Sequence, residues 1–146
     1  MSDITAATNL NTVRSTIESR LKDELETGTP PVTVVFNNVP AIPTPNKSWC
    51  QCSMSFSSSS YITQGGTSGS SNVLTGLMSV NIFTPRGQGA GDNYVIGKRI
   101  RDLYNRINIS GVYFDPPIGP EVMSSPSPEG YFQTQVRVTF EVIEEL

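Results

Sequence analysis

The sequence predicts an α+β fold, in which one sheet of about four to five strands, mainly antiparallel or mixed, carries two helices on one face. Three observations predict it. Two segments repeat apolar residues at intervals of three and four, as amphipathic helices do, and several others alternate apolar and polar residues, as half-buried strands do. A Ser/Gly-rich segment between two alternating stretches predicts a long hairpin arm. The 146 residues fit one domain spanning residues 1–146.

The first predicted helix runs from about Thr8 to Glu26. Gly28, followed by two prolines, predicts where it ends. Its apolar residues form a single stripe made of Leu10, Val13, Ile17, Leu21 and Leu25. A stripe of this kind indicates a helix that packs one face on a sheet.

The predicted strands lie in several separate regions of the chain. Residues 32–36 are rich in β-branched side chains, and residues 48–57 alternate cleanly, with Trp49 left on the polar face. Residues 73–84 resume the strand pattern, and residues 132–142 show the clearest alternation in the chain. A short extended stretch is predicted at residues 111–114.

Two segments are predicted to lack regular structure. Residues 57–72 consist mostly of Ser, Gly and Thr, which predicts a mobile hairpin tip or arm. Tyr61 and Ile62 interrupt it, and this pair is either an anchor for a neighbouring subunit or a chance pair in a loop. Residues 115–130 contain five prolines, too many for regular structure.

The second predicted helix follows a glycine-rich turn directly after a strand. Asp92 is suited to cap its start, and the helix is predicted to end near Asn105 or Asn108. Its apolar stripe comprises Ile96, Ile100, Leu103 and Ile107. Lys98 and Arg101 fall opposite that stripe, on a face that either meets solvent or contacts an acidic partner.

The glycine-rich turn invites comparison with phosphate-binding loops, because a helix that starts after such a turn attracts anions. Gly87, Gly89 and Gly91 read GQGAG, however, so the third glycine comes too early for the dinucleotide pattern, and no Gly-Lys-Ser/Thr follows. A nucleotide- or phosphate-binding enzyme using residues 87–91 therefore stays a remote alternative. We expect the turn to be a tight joint that sets the helix on the sheet.

The residue inventory argues against catalysis. The chain has no histidine, which removes Ser-His-Asp and Cys-His arrangements and most metal sites. Cys50 and Cys52 are two positions apart in a predicted strand, so they share a face and are poorly placed to bridge each other. We expect no enzyme activity, no catalytic residue, no cofactor and no metal.

Composition and charge point instead to a structural or binding protein. A net charge of −3 and a pI of about 4.9 argue against a main role in nucleic-acid binding. No apolar run is long enough to span a membrane, and the basic-then-apolar order of a signal peptide is missing, so we expect a soluble protein made in a cytoplasm. Only 36% of residues are hydrophobic, which favours a subunit completed by its neighbours.

The segment that ends in the glycine turn also carries a family resemblance. Phe83, Pro85, Gly87 and Gly89 form an aromatic-x-Pro-x-Gly-x-Gly pattern that runs straight into a helix. This pattern resembles the corresponding segment of the tail terminators of long-tailed bacteriophages, a family that includes phage domains of unknown function. The leading helix, the strand ending at residues 36–40 and the strand start at residues 130–133 also look like the family's pattern.

The resemblance implies a structural virion protein, made in the bacterial host cytoplasm, that forms a ring, commonly of six subunits. The ring would cap the tail tube at the end nearest the head, stop tube polymerisation and offer a surface to the head-tail connector or neck protein. Its partners would be other copies of itself, the tail tube protein and the connector, with no membrane. The sheets would line or support a lumen through which DNA passes without specific binding.

Candidate contact residues follow from the same resemblance and from the basic helix face. The arm at residues 57–72 would contact a neighbouring subunit or the tube. The candidates for inter-subunit or tube contact are Tyr61, Ile62, Arg86, Lys98 and Arg101. A head-closure, neck or minor capsid protein is the main alternative, since it would share the arms and the lack of chemistry.

Overall fold

The computed structural model describes residues 10–28, 31–36, 47–61, 71–87, 91–109, 111–123 and 130–145. Two helices occur in these residues, α1 (Leu10–Thr27) and α2 (Gly91–Tyr104). The strands are β1 (Thr33–Phe36), β2 (Trp49–Tyr61), β3 (Ser71–Pro85), β4 (Asn108–Ile109), β5 (Val112–Phe114), β6 (Ile118–Val122) and β7 (Tyr131–Glu145).

The described strands form one mixed sheet in the order β1-β2-β3-β7-β5-β4, and β6 also pairs with β7. Strand β1 lies parallel to β2, while the remaining pairings are antiparallel. The α+β class is confirmed, but the expected four to five strands are too few, since the described sheet has seven. The short extended stretch predicted at residues 111–114 corresponds to β5, whereas the sequence pattern misses β4, because two residues are too short to show alternation.

Three long strands dominate the sheet and extend into the predicted arm. Strand β2 continues to Tyr61 and β3 begins at Ser71, so the ladder covers both ends of the segment at residues 57–72. The prediction of an arm over that whole range is therefore wrong at its ends. Backbone pairing needs no apolar side chain, which is why Ser-rich sequence can still form strand. Residues 62–70, including Ile62, lie outside the described residues.

The proline-rich segment at residues 115–130 also contains a strand that was not predicted. Strand β6 pairs with β7, and its register shifts between Ile118 and Glu121. Pro120 lies within this irregular stretch, and a proline without an N–H is tolerated at a bulge or on a sheet edge. Residues 124–129 lie outside the described residues.

Both helices pack on the same face of the sheet. On α1 the predicted stripe is buried from Val13 to Leu25, whereas Leu10 is 44% exposed. Helix α2 begins at Gly91, so the predicted N-cap Asp92 lies inside its first turn. The helix ends at Tyr104. Tyr104 is fully buried, and its hydroxyl donates a hydrogen bond of 2.7 Å to the Ile17 carbonyl oxygen.

One glycine in the sheet makes room for a core ring. A Cβ atom at Gly76 would collide with the ring of Phe140, its partner on β7. Phe140 also meets Phe56 edge-on, with ring centroids 5.9 Å apart, and Phe114 at 5.8 Å. The aromatic part of the core therefore depends on the missing side chain at Gly76.

Candidate functional site

The joint between the sheet and α2 is held by a fully buried amide. Asn93 Nδ2 donates to the carbonyl oxygen of Ile82 at 3.1 Å, to Thr84 Oγ1 at 3.3 Å and to the carbonyl oxygen of Phe132 at 3.3 Å. Thr134 Oγ1 donates in turn to Asn93 Oδ1. Since buried polar groups are costly unless paired, this set ties the helix start to β3 and β7.

Arg86 fastens the outer side of the same joint. Its backbone N–H donates to the carbonyl oxygen of Gly130 at 2.9 Å, and its Nε donates to that of Tyr131 at 3.0 Å. Gly87 follows with φ near +88°, a left-handed conformation that favours glycine. The described part of the turn thus serves as a joint, while residues 88–90 lie outside the described residues.

The two basic residues predicted on the exposed face of α2 have different environments. Lys98 is exposed and pairs with Asp102 at 2.6 Å. Arg101 is partly buried, and its Nη1 donates to the carbonyl oxygens of Pro117 at 2.8 Å and Gly119 at 2.6 Å. Arg101 is therefore less exposed than its helical position predicts, because its guanidinium anchors α2 to residues 117–119 at the start of β6. A contact role for Arg101 stays a prediction.

Two further arginines join the helices to each other, and the sequence pattern did not single out this role. Arg99 Nη2 donates to the Glu24 carbonyl oxygen at 2.7 Å, and its Nε lies 3.4 Å from the Glu24 carboxylate. Arg20 Nε donates to the Leu103 carbonyl oxygen at 3.1 Å. Arg20, Arg99 and Arg101 therefore each donate hydrogen bonds to carbonyl oxygens within the same subunit.

The four candidate contact residues within the described part of the chain do not lie in one place. Tyr61 ends β2 and is paired with Asn72, whereas Arg86 follows the opposite end of β3, after Pro85. The two residues therefore lie at opposite ends of the long ladder. Ile62 lies outside the described residues, so the proposed Tyr-Ile anchor remains a prediction.

The face of the sheet opposite the helices presents an uncharged surface of mixed polar and apolar side chains over β2 and β3. Asn81 Oδ1 accepts hydrogen bonds from Gln133 Nε2 and Gln135 Nε2, each at 3.1 Å. The described outward side chains of these two strands include no ionisable group, and they are Trp49, Gln51, Ser53, Ser55, Ser57, Val73, Thr75, Leu77, Ser79, Asn81, Phe83 and Pro85.

Charges on this outer face are confined to β7 and its neighbours. Arg137 pairs with Glu121 at 2.7 Å, so its charge is compensated. Asp115 accepts a hydrogen bond of 2.7 Å from Thr139 Oγ1, and Glu141 is exposed. Among the described side chains, the outer face over β7 thus carries one paired cation and three carboxylates.

An aromatic cluster lies at the end of the outer face nearest the joint. Trp49 stacks on Phe83 with ring centroids 4.2 Å apart, and Tyr131 meets Trp49 edge-on at 6.2 Å. Phe83 is only 3% exposed. Trp49 is therefore part of a packed cluster, although the sequence pattern left it on a polar face. Its buried indole N–H has no hydrogen-bond partner within the described part of the chain.

The two cysteines are buried core residues with free thiols. Burial raises the pKa of Cys52 to about 12 and raises the pKa of Cys50 further. Both thiols are therefore protonated at neutral pH and poorly nucleophilic. No group of three or more potential metal-ligating side chains occurs in the residues that the structure describes.

A cleft of about 360 Å³ opens between the start of β1, the segment before β2 and the first turns of α2. Val32, Val95 and Ile96 supply its apolar lining, and Lys47 and Asp92 supply its charged lining. Val95 is 55% exposed at this site. The cleft can therefore receive an apolar side chain flanked by polar groups.

Comparison with known proteins establishes the fold and nothing finer. No protein-family model and no curated protein matches the chain. Within the described residues, neither helix is long and apolar enough to cross a membrane. A solved structure, of a protein whose designation states no function, has a TM-score of 0.70 and 15% sequence identity, and the match covers 92% of this chain and 96% of that one. At that identity, the similarity shows a shared fold alone.

Proposed function

We propose that this chain is a structural subunit of a bacteriophage tail, which forms a ring at the head-proximal end of the tail tube. The ring stops tube polymerisation and offers a surface to the head connector. The observation that carries the proposal is the Phe83-x-Pro85-x-Gly87 pattern, which resembles that of tail terminators and lies at the joint between β3 and α2. Asn93 and Arg86 hold that joint in place.

The chemistry of the outer sheet face supports this role. A surface that binds DNA uses Lys and Arg to neutralise phosphates, so a channel through which DNA passes freely needs a surface without available cations. The described outward positions of β2 and β3 carry no charge, and Arg137 on β7 is paired with Glu121. This face is suited to line a lumen that DNA crosses without being held.

The helix layer is less suited to face DNA. Lys22 and Lys98 are exposed on it, and among the described residues Lys22 has no ion-pair partner to compensate its charge. These cations lie within reach of solvent, where a passing phosphate could pair with them. We therefore place the helices outside the ring and the outer sheet face toward its axis.

A tube-capping assay tests the proposed function. Purified tail tube protein from the same virus is allowed to polymerise with and without this protein, and tube lengths are measured by electron microscopy. We expect shorter tubes with a ring of this protein at one end. Tubes of unchanged length and free ends would contradict terminator activity. Binding to the head connector without any effect on tubes would favour the head-closure or neck alternative.

A further inference from the structure

Strand β2 has a long side that no described strand covers. Strand β1 pairs with residues 49–52 of β2 and no further, whereas β2 continues to Tyr61. The other side of β2 pairs with β3. Within the described part of the chain, residues 53–61 therefore present unpaired backbone N–H and C=O groups on the β1 side. We call this stretch the open edge.

The short strand β1 uses its own amides within the subunit. The Val32 N–H donates to the Leu25 carbonyl oxygen at 2.6 Å, and the Val34 N–H donates to Glu26 Oε2 at 3.1 Å. A strand from another molecule cannot pair with amides that are already used. Strand addition beside β2 is therefore limited to the open edge.

The opposite side of the sheet is protected in other ways. Strand β4 has only two residues, and β6 contains Pro120, which has no N–H to donate. The Gly119 carbonyl oxygen in β6 accepts a hydrogen bond of 2.6 Å from Arg101 Nη1. Short length and proline are two of the devices by which proteins keep edge strands from pairing. Among the described strands, β2 thus has the long edge without such protection.

The described side chains of the open edge, at residues 53–57, carry no charge. Ser53, Ser55 and Ser57 lie on the outer face of the sheet. Met54 and Phe56 lie on the helix face and are only partly buried against the core. Lysine, the charge that most often blocks strand addition, is missing from these positions. An added strand would cover the exposed parts of Met54 and Phe56.

We propose that two copies of this chain pair through their open edges as antiparallel strands, so that their sheets join into one across a twofold axis. Pairing satisfies the unpaired backbone groups of both copies at once. A twofold contact needs a self-complementary surface, and the open edge is one. The inference goes beyond the proposed ring and does not depend on it.

The geometry of the open edge fits a second copy as its occupant. Ser57 is the midpoint of residues 53–61, so an axis beside Ser57 sets the two open edges opposite each other and keeps β1 of each copy clear of its partner's strand. The register shift between Phe56 and Ser59 falls at this axis, which leaves a regular run on either side. Near a twofold axis each charge meets its own copy, and the described side chains there bring none.

Sedimentation velocity of the purified full chain, up to about 1 mM, tests the contact. Ser55→Lys and Ser57→Lys each place a cation beside the axis, where the same cation of the second copy repels it. Each should raise the dimer dissociation constant at least about tenfold. Thr139→Lys is the matched control, because Thr139 is exposed in the same row as Ser55 but two strands away, and it should dimerise like the wild type. Unchanged melting temperatures must show that the variants fold.

Amide hydrogen exchange of the wild type supplies a second readout that needs no substitution. Nuclear magnetic resonance follows the amides of residues 53–61 at concentrations above and below the dimer dissociation constant. We expect the amides that point toward the β1 side to exchange at least about tenfold faster in the monomer than in the dimer.

Three results would overturn the contact. A wild type that stays monomeric at about 1 mM rules out a dimer of useful strength. Dimerisation of Ser55→Lys at the wild-type concentration places the contact elsewhere. Equal protection of residues 53–61 in the monomer means that another segment of the same chain covers the open edge. If microscopy shows rings whose open edge exchanges freely, the proposed ring stands and the paired edge is wrong.

Discussion

Asn93 lies in the first turn of α2, yet its side-chain Nδ2 is 3.1 Å from the carbonyl oxygen of Ile82 inside the sheet. The same nitrogen contacts Thr84 and Phe132, and the Oδ1 atom accepts from Thr134. A short polar side chain thus fixes where the helix meets two central strands. The apolar stripe alone would leave the helix free to slide along the sheet.

Replacing Asn93 tests this joint. Asn93→Asp replaces the donating NH2 group with a buried carboxylate oxygen that faces three oxygen acceptors. We therefore expect the free energy of unfolding to fall by about 3–5 kcal/mol at neutral pH. The loss should shrink in acid, where the protonated carboxyl donates one hydrogen bond. Denaturant unfolding at neutral and at acidic pH measures the two losses. Asp92→Asn at the exposed neighbour is the control, with a change below about 1 kcal/mol.

The two basic residues of α2 should differ in their effect on stability. Arg101→Met leaves the Pro117 and Gly119 carbonyl oxygens without their donor, so we expect a loss of about 1–3 kcal/mol. Lys98→Met removes only an exposed pair with Asp102 and should change stability by no more than about 0.5 kcal/mol. If thermal unfolding shows the same loss of stability for Arg101→Met and Lys98→Met, Arg101 does not anchor the helix.

The glycine under the Phe140 ring should not tolerate a methyl group. Gly76→Ala forces that ring to move in a packed core, so we expect a loss of about 1–3 kcal/mol. Gly91→Ala is the matched control, because nothing lies near its added methyl, and it should be neutral within about 0.5 kcal/mol. A stable Gly76→Ala variant would mean that Phe140 has room to shift.

Stability should fall in alkali because of the buried thiols. The pKa of Cys52 is raised from 9.0 unfolded to about 12 folded, so between these values the unfolded chain loses a proton that the folded chain keeps. Stability is therefore fully retained below pH 9 and declines from about pH 9 to about pH 12, by at most about 1.4 kcal/mol per pH unit for each such thiol. A Cys50→Ala, Cys52→Ala variant should show a shallower decline in urea unfolding series, and an identical slope would exclude the thiols as its source.

Much of the fold follows from periodicity, and the exceptions have physical reasons. The stripe from Val13 to Leu25 and the alternation of β7 are strong signals, since each is sustained over several turns or residue pairs. The sequence pattern does not predict β6, because a proline usually excludes regular strand. The edge position that tolerates Pro120 depends on tertiary structure.

The joint and the helix anchors could be predicted only in part. Gly87 correctly indicates a turn directly after β3. Asn93 looks like an ordinary polar helix residue, because its burial depends on acceptors from β3 and β7 that are distant in sequence. Arg101 likewise looks exposed by helical position, since its acceptors, Pro117 just before β6 and Gly119 within it, lie on another element.

Locating the protein on assembled tails tests the central proposal most directly. A gold label attached to an affinity tag on this protein can be imaged by electron microscopy on tubes polymerised in its presence. The proposed function predicts label at one end of each tube, in a ring, with no label along its length. Label spread along the tubes, or label absent from tubes of normal length, would contradict a terminator.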